Sequence, residues 1–197
     1  MNNNHGIPDH LFTVQNSDNT YSWTLGTRMG QFLSEIETLY GARDTTWTLL
    51  GFEFNEGRPN IRFSGYPARR QIIIRLGEKA FKSAPQAIYQ LAHECIHLLA
   101  PVVGGDAPVL EEGLATMYSE DKVKALYPSP QDAIRTSSQN YIDAAARVRE
   151  LLQLEPDAIR KLRAVEPDFY RMTEHTFADA GLDQIPQPLM AELLRTF

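Results

Sequence analysis

The chain has 197 residues, 43% hydrophobic and 22% charged, which suffices for one well-packed domain and lacks the polar excess of a disordered one. A net charge of -6 without any basic run argues against a phosphate-binding surface, so no nucleic-acid partner is expected. One cysteine excludes an internal disulfide framework, and the absence of a signal-peptide pattern or a membrane-spanning apolar run predicts a cytoplasmic protein with no membrane partner.

Residues 1–10 read as a flexible tail, with His5 and His10 solvated. Leu11–Val14 and Tyr21–Leu25 flank the turn-forming run Asn16-Ser17-Asp18-Asn19 and predict a hairpin. From Thr27 to Tyr40 the apolar residues Met29, Phe32, Leu33, Ile36 and Leu39 recur at helical spacing, and Gly41 is a natural stop. Trp47–Phe54 reads as a strand, with Ile61–Phe63 as its return after the loop Asn55–Asn60. Gln71–Leu76 is the strongest strand in the chain.

Ser83, with Pro85 and Gln86 behind it, predicts the start of a helix whose positions Ile88, Leu91, Ala92, Cys95, Leu98 and Leu99 are apolar, so it is buried nearly all round. Cys95 is expected to pack there. Two prolines and Gly104-Gly105 then reverse the chain, and Asp106 as N-cap with Pro108 in the first turn opens a second helix running to about Tyr127. Further helices are expected over Asp132–Leu154, with Ile134, Tyr141, Ile142, Ala145, Val148 and Leu152 on one side, and over Pro156–Val165, Pro167–Ala180 and Pro188–Thr196. Strands with helices come first and only helices follow. The layout is α+β, a single domain over 11–197 with a sheet-containing half (11–100), a helical half (106–197) and the active cleft between them.

Chemistry concentrates in His93-Glu94-Cys95-Ile96-His97. Two histidines four residues apart on a helix leave the same face one turn apart and can share one metal ion, while Glu94 sits about 100° round from His93 and reads as a base. A catalytic zinc usually has three protein ligands and one open position. The third donor is expected from Glu111 or Glu112, near the start of the second helix; periodicity alone does not choose, since Glu111 shares a face with Leu114, Ala115 and Tyr118.

Residues 84–120 resemble the glutamate zincins, metallopeptidases with a His-Glu-x-x-His helix and a downstream glutamate ligand, often before Gly and Ala; here the match is His93, Glu94, His97 and Glu112-Gly113-Leu114-Ala115. The resemblance implies a zincin-like fold with a small, mostly antiparallel sheet, one Zn2+ per chain held by His93, His97 and Glu112, and hydrolysis of a peptide or protein substrate with Glu94 as general base. It also implies that the strand before the metal helix lies at the sheet edge, where an extended substrate adds to it, the plainer alternative being a buried structural strand. A second donor for the tetrahedral intermediate is sought among His175, Tyr118, Tyr141 and Tyr170, and Ser119, Glu120 or Asp121 are candidates to orient a ligand. A zinc-holding interaction module without turnover uses the same ligands, but has no chemical need for Glu94.

Overall fold

The structure is a computed structural model describing residues 24–65, 67–104, 106–129, 134, 136 and 138–197. The expected tail, with His5 and His10, and nearly all of the expected hairpin lie outside these residues. Thr24 and Leu25, assigned to that hairpin, instead begin a helix. Thr24 and Thr27 form a reciprocal capping box, so α1 spans Leu25–Tyr40 and Thr27 serves the cap.

Three strands follow: β1 (Thr48–Phe54), β2 (Asn60–Ser64) and β3 (Gln71–Leu76). The order is β1-β3-β2, with β3 parallel to β1 and antiparallel to β2. The sheet is therefore mixed, and β2 is not the return strand of β1. β3 carries Ile72, Ile74 and Leu76 fully buried on one face, and takes the centre, where both its edges are hydrogen-bonded. The loop from β1 crosses the end of β3: Asn55 Nδ2 donates to the Leu76 carbonyl, and a Cβ on Gly77 would meet the Gly57 carbonyl oxygen at 2.5 Å. This carries β2 to the far side of β3.

The Ser83 hydroxyl accepts from Gln86 N–H and opens α2 (Ala84–His97) with proline in its first turn. Ala87, Ile88, Leu91, Ala92, Cys95 and Ile96 are all buried, as expected of a helix covered nearly all round. Leu98 and Leu99 fall past its end, in a tightened turn where Leu99 N–H bonds the Ile96 carbonyl. α3 spans Val109–Leu126 with Pro108 at the N-cap; Asp106 is exposed and does not cap it. The free N–H of Val109 is satisfied instead by the Arg195 carbonyl at 2.8 Å, from the segment that also places Phe197 N–H on the Ala107 carbonyl. A tertiary contact replaces the expected local cap.

α4 spans Gln139–Leu154 and buries Ala144, Ala145, Val148 and Leu151, while Ile142 is exposed and Ile134 lies outside the helix. Small residues face α3 because Gly113 lies directly against the Ala144 carbonyl. α5 spans Ala158–Val165. The helix expected over Pro167–Ala180 is broken into a 3₁₀ turn (Phe169–Arg171) and α6 (Glu174–Asp179), because Thr176 Oγ1 accepts Thr173 N–H and starts a new helix. Gly181, at φ +67°, closes α6. α7 (Gln187–Leu194) stops short of Thr196, since Arg195 is extended and the chain turns back to the start of α3.

One continuous apolar cluster joins α1, the inner face of β3, α2, α3 and the later helices. Arg163, 6% exposed, is built into it. Its guanidinium donates to the carbonyls of Tyr40, Gly41, Ala42, Leu99 and Pro167, tying the ends of α1 and α2 to α5. Burial lowers its pKa to about 10, opposed by the charges of Asp168, Glu111 and Glu37. No described helix is long and apolar enough to cross a membrane.

Candidate metal centre

α2 and α3 pack face to face and bring three side chains to one point. His93 and His97 leave α2 one turn apart with ring centroids 5.1 Å apart, and Glu112 reaches them from the first turn of α3. His93 Nε2 lies 3.3 Å from Glu112 Oε2, and His97 Nε2 lies 3.6 Å from Glu112 Oε1. One donor atom from each of the three residues falls within 4.8 Å of the others.

These three residues could together hold a metal ion. With zinc–ligand bonds of about 2.0–2.1 Å, tetrahedral geometry separates neighbouring donors by about 3.4 Å, the range of the two histidine–Glu112 spacings, which are made to different oxygens of that carboxylate. Two imidazoles and a carboxylate also suit zinc chemically. Among the described residues, Glu112 Oε2 is buried without a hydrogen-bond partner, a state that a cation beside it relieves. Burial pushes the Glu112 carboxyl up, but His93 and His97 outweigh it and hold the group below the usual carboxylate range, in its ligating form.

Glu94, 4% exposed, lines the same cavity, which has a volume of about 390 Å³. Burial raises its pKa, His93 and His97 pull it back in part, and Glu112 adds to the rise; the result suits a group that accepts a proton. Glu111 is buried on the other side of His97, with Oε1 at 2.7 Å from Nδ1. Burial alone would lower the His97 pKa, but the hydrogen bond and charge of Glu111, with Glu112 and Glu94, raise it to about 10 in the metal-free site.

The remaining candidates divide. Tyr141, on α4, lines the cavity with its ring edge-on to His93 at 6.0 Å, and burial with Glu112 and Glu94 nearby pushes its pKa up to about 12. Tyr170 lies at the rim, 46% exposed. His175 is exposed on α6, which buries Thr176 and Phe177 instead, and does not line the cavity. Tyr118 is buried on the far side of α3, packed against Phe32 and Tyr40 with its hydroxyl on Glu35, so it is a core residue. Ser119 bonds its own helix at the Ala115 carbonyl, and Glu120 and Asp121 pair with Arg149; none of the three reaches a ligand. Cys95 is fully buried with its thiol pKa raised by burial, in keeping with a packing role.

Two features escape sequence reasoning. β3 is the central strand, so the sheet edge facing the cavity is β2, with Asn60, Ile61 and Phe63 in the wall. Phe197 also lines the cavity, its ring 4.5 Å from that of Tyr141, brought there by the bridge between Pro108 and Thr196. No local pattern signals either, since both depend on pairings between distant segments. Comparison with protein-family models, curated proteins and solved structures finds no match for this chain.

Proposed function

We propose that this protein is a zinc-dependent metallopeptidase, with one zinc per chain held by His93, His97 and Glu112. The observation that carries the proposal is the set of three donors within 4.8 Å of one another with a buried carboxylate, Glu94, in the same cavity. When bound, the ion supplies a Lewis acid that polarises a substrate carbonyl and acidifies water. The resemblance of residues 84–120 to the glutamate zincins supports the same reading, and with it a zincin-like fold.

Glu94 takes the proton of the attacking water on a carboxylate oxygen, where its raised pKa helps to hold it, and delivers it to the leaving amine. Tyr141 keeps its proton at neutral pH and donates a hydrogen bond to the oxygen on which negative charge develops. His175 and Tyr118 have no part in this scheme, since neither lines the cavity. β2, as the edge strand of the described sheet, offers backbone groups along which an extended peptide lies, and Ile61 and Phe63 exclude water beside it. That extended edge supports a peptide or protein as the substrate.

The test is elemental analysis for zinc combined with a peptide-library digest of wild type and Glu94→Gln. Zinc in both proteins and cleavage only by wild type is the expected result; equal cleavage by both would remove the general-base assignment, and zinc-free wild type after loading would remove the metal centre.

A further inference from the structure

We infer that Glu111 is a positioning residue, which fixes the ring of His97 so that Nδ1 carries a proton and Nε2 faces the metal; the inference rests on the metal-centre reading above. Neighbouring residues on a helix diverge by about 100°, so Glu111 and Glu112 cannot present their carboxylates to the same place. Here they divide the two nitrogens of one imidazole between them. Glu112 Oε1 lies 3.6 Å from His97 Nε2, on the side shared with His93, and Glu111 Oε1 lies 2.7 Å from Nδ1 on the other.

Glu111 is only 5% exposed, and a carboxylate that deep is tolerated only with partners. One is the Nδ1–H of His97, at the length of a charge-assisted hydrogen bond. Another is Arg163, whose positive charge interacts with Glu111 from the core. A place in the first turn of α3, where the helix dipole favours an anion, completes the setting. With Oε1 committed to Nδ1, Glu111 is held as an orienting group and Glu112 is left as the ligand.

The two histidines are consequently unequal. His93 Nδ1 is buried with no hydrogen-bond partner among the described residues, and its ring is restrained by Tyr89 and Tyr141 packing against it at 6.4 and 6.0 Å. His97 is oriented by a hydrogen bond. Removing Glu111 therefore frees the His97 ring alone.

The experiment measures zinc affinity by chelator competition for wild type, Glu111→Ala and Glu111→Gln, and follows the His97 ring protons by long-range nitrogen–proton NMR in metal-free and zinc-loaded protein. Loss of such an outer carboxylate should weaken zinc binding about 10- to 100-fold in Glu111→Ala, with partial rescue in Glu111→Gln, which keeps an acceptor of the same shape. Wild type should show a protected, downfield Nδ1 proton on His97 that disappears in Glu111→Ala while the His93 signals stay in place, a pattern that a merely structural role would not produce. Affinity in Glu111→Ala within about twofold of wild type, or no protected Nδ1 proton in wild type, would overturn the inference. Should Glu111→Ala fail to fold, the Gln variant and the wild-type proton decide. Wild type that takes up no zinc would sink the metallopeptidase reading, while the metal-free NMR signal would still decide the role of Glu111.

Discussion

Gly113→Ala sets two effects of opposite sign against each other. By helix propensity alone, alanine inside α3 stabilises by about 1 kcal/mol over glycine. The structure predicts the reverse. A Cβ at this position would lie 2.4 Å from the Ala144 carbonyl oxygen, 2.7 Å from its carbon and 2.8 Å from Val148 Cγ2, against ordinary contact from 3.4 Å. Val148 can adjust its side chain, but the Ala144 carbonyl belongs to α4, so one helix must back away by about 1 Å and loosen the packing of Ala144, Ala145 and Val148. Overpacking costs roughly 1–3 kcal/mol, and a clash with backbone sits at the upper end, leaving a net loss of about 2 kcal/mol once propensity is subtracted. For a domain of this size that lowers Tm by about 4–8 °C. Thermal melts in the presence of a chelator isolate this effect from metal binding, and zinc titration of the same variant should show weaker uptake, because Glu112 is the adjacent residue and moves with the helix. A Tm equal to or above that of wild type would refute the close-approach argument.

Glu94→Gln should retain zinc and lose turnover, whereas His97→Ala should lose both; elemental analysis and a peptide assay on the two variants check this. Tyr141→Phe should leave zinc content and KM unchanged and reduce kcat about 10²-fold, as for loss of one oxyanion donor, and an unchanged kcat would return Tyr141 to a packing role. Arg163→Met removes the donor shared by five backbone carbonyls and should cost about 3–5 kcal/mol in urea unfolding; a loss below about 1 kcal/mol would contradict that role. The His97 pKa, raised from 6.5 to about 10 in the metal-free fold, means that its pairing with Glu111 stabilises fully below pH 6.5 and is lost as pH rises through about 10, so urea midpoints in chelator should fall over that range. Zinc uptake at neutral pH should then expel a proton from His97, measurable by calorimetry in buffers of different ionisation enthalpy.

The local order of this chain settled much of what is seen. Apolar spacing marks α1 and α2, a run of aromatic, aliphatic and β-branched residues marks β1, Ile72-Ile73-Ile74 marks β3, and the spacing of His93, Glu94 and His97 places them on one helix, because helical geometry converts i and i+4 into neighbours without help from the rest of the fold. The resemblance points to Glu112, and periodicity does not separate it from Glu111; only the packing of α3 on α2 gives the two carboxylates their different sides of the His97 ring. The insertion of β3 between β1 and β2, the capping of α3 by Arg195, the arrival of Tyr141 and Phe197 in the cavity and the exclusion of His175 and Tyr118 from it were likewise decided by tertiary structure. Each depends on hydrogen bonds or contacts between segments far apart in the chain, and a pattern confined to neighbouring residues carries no information about which distant partner will satisfy a strand edge or a helix end.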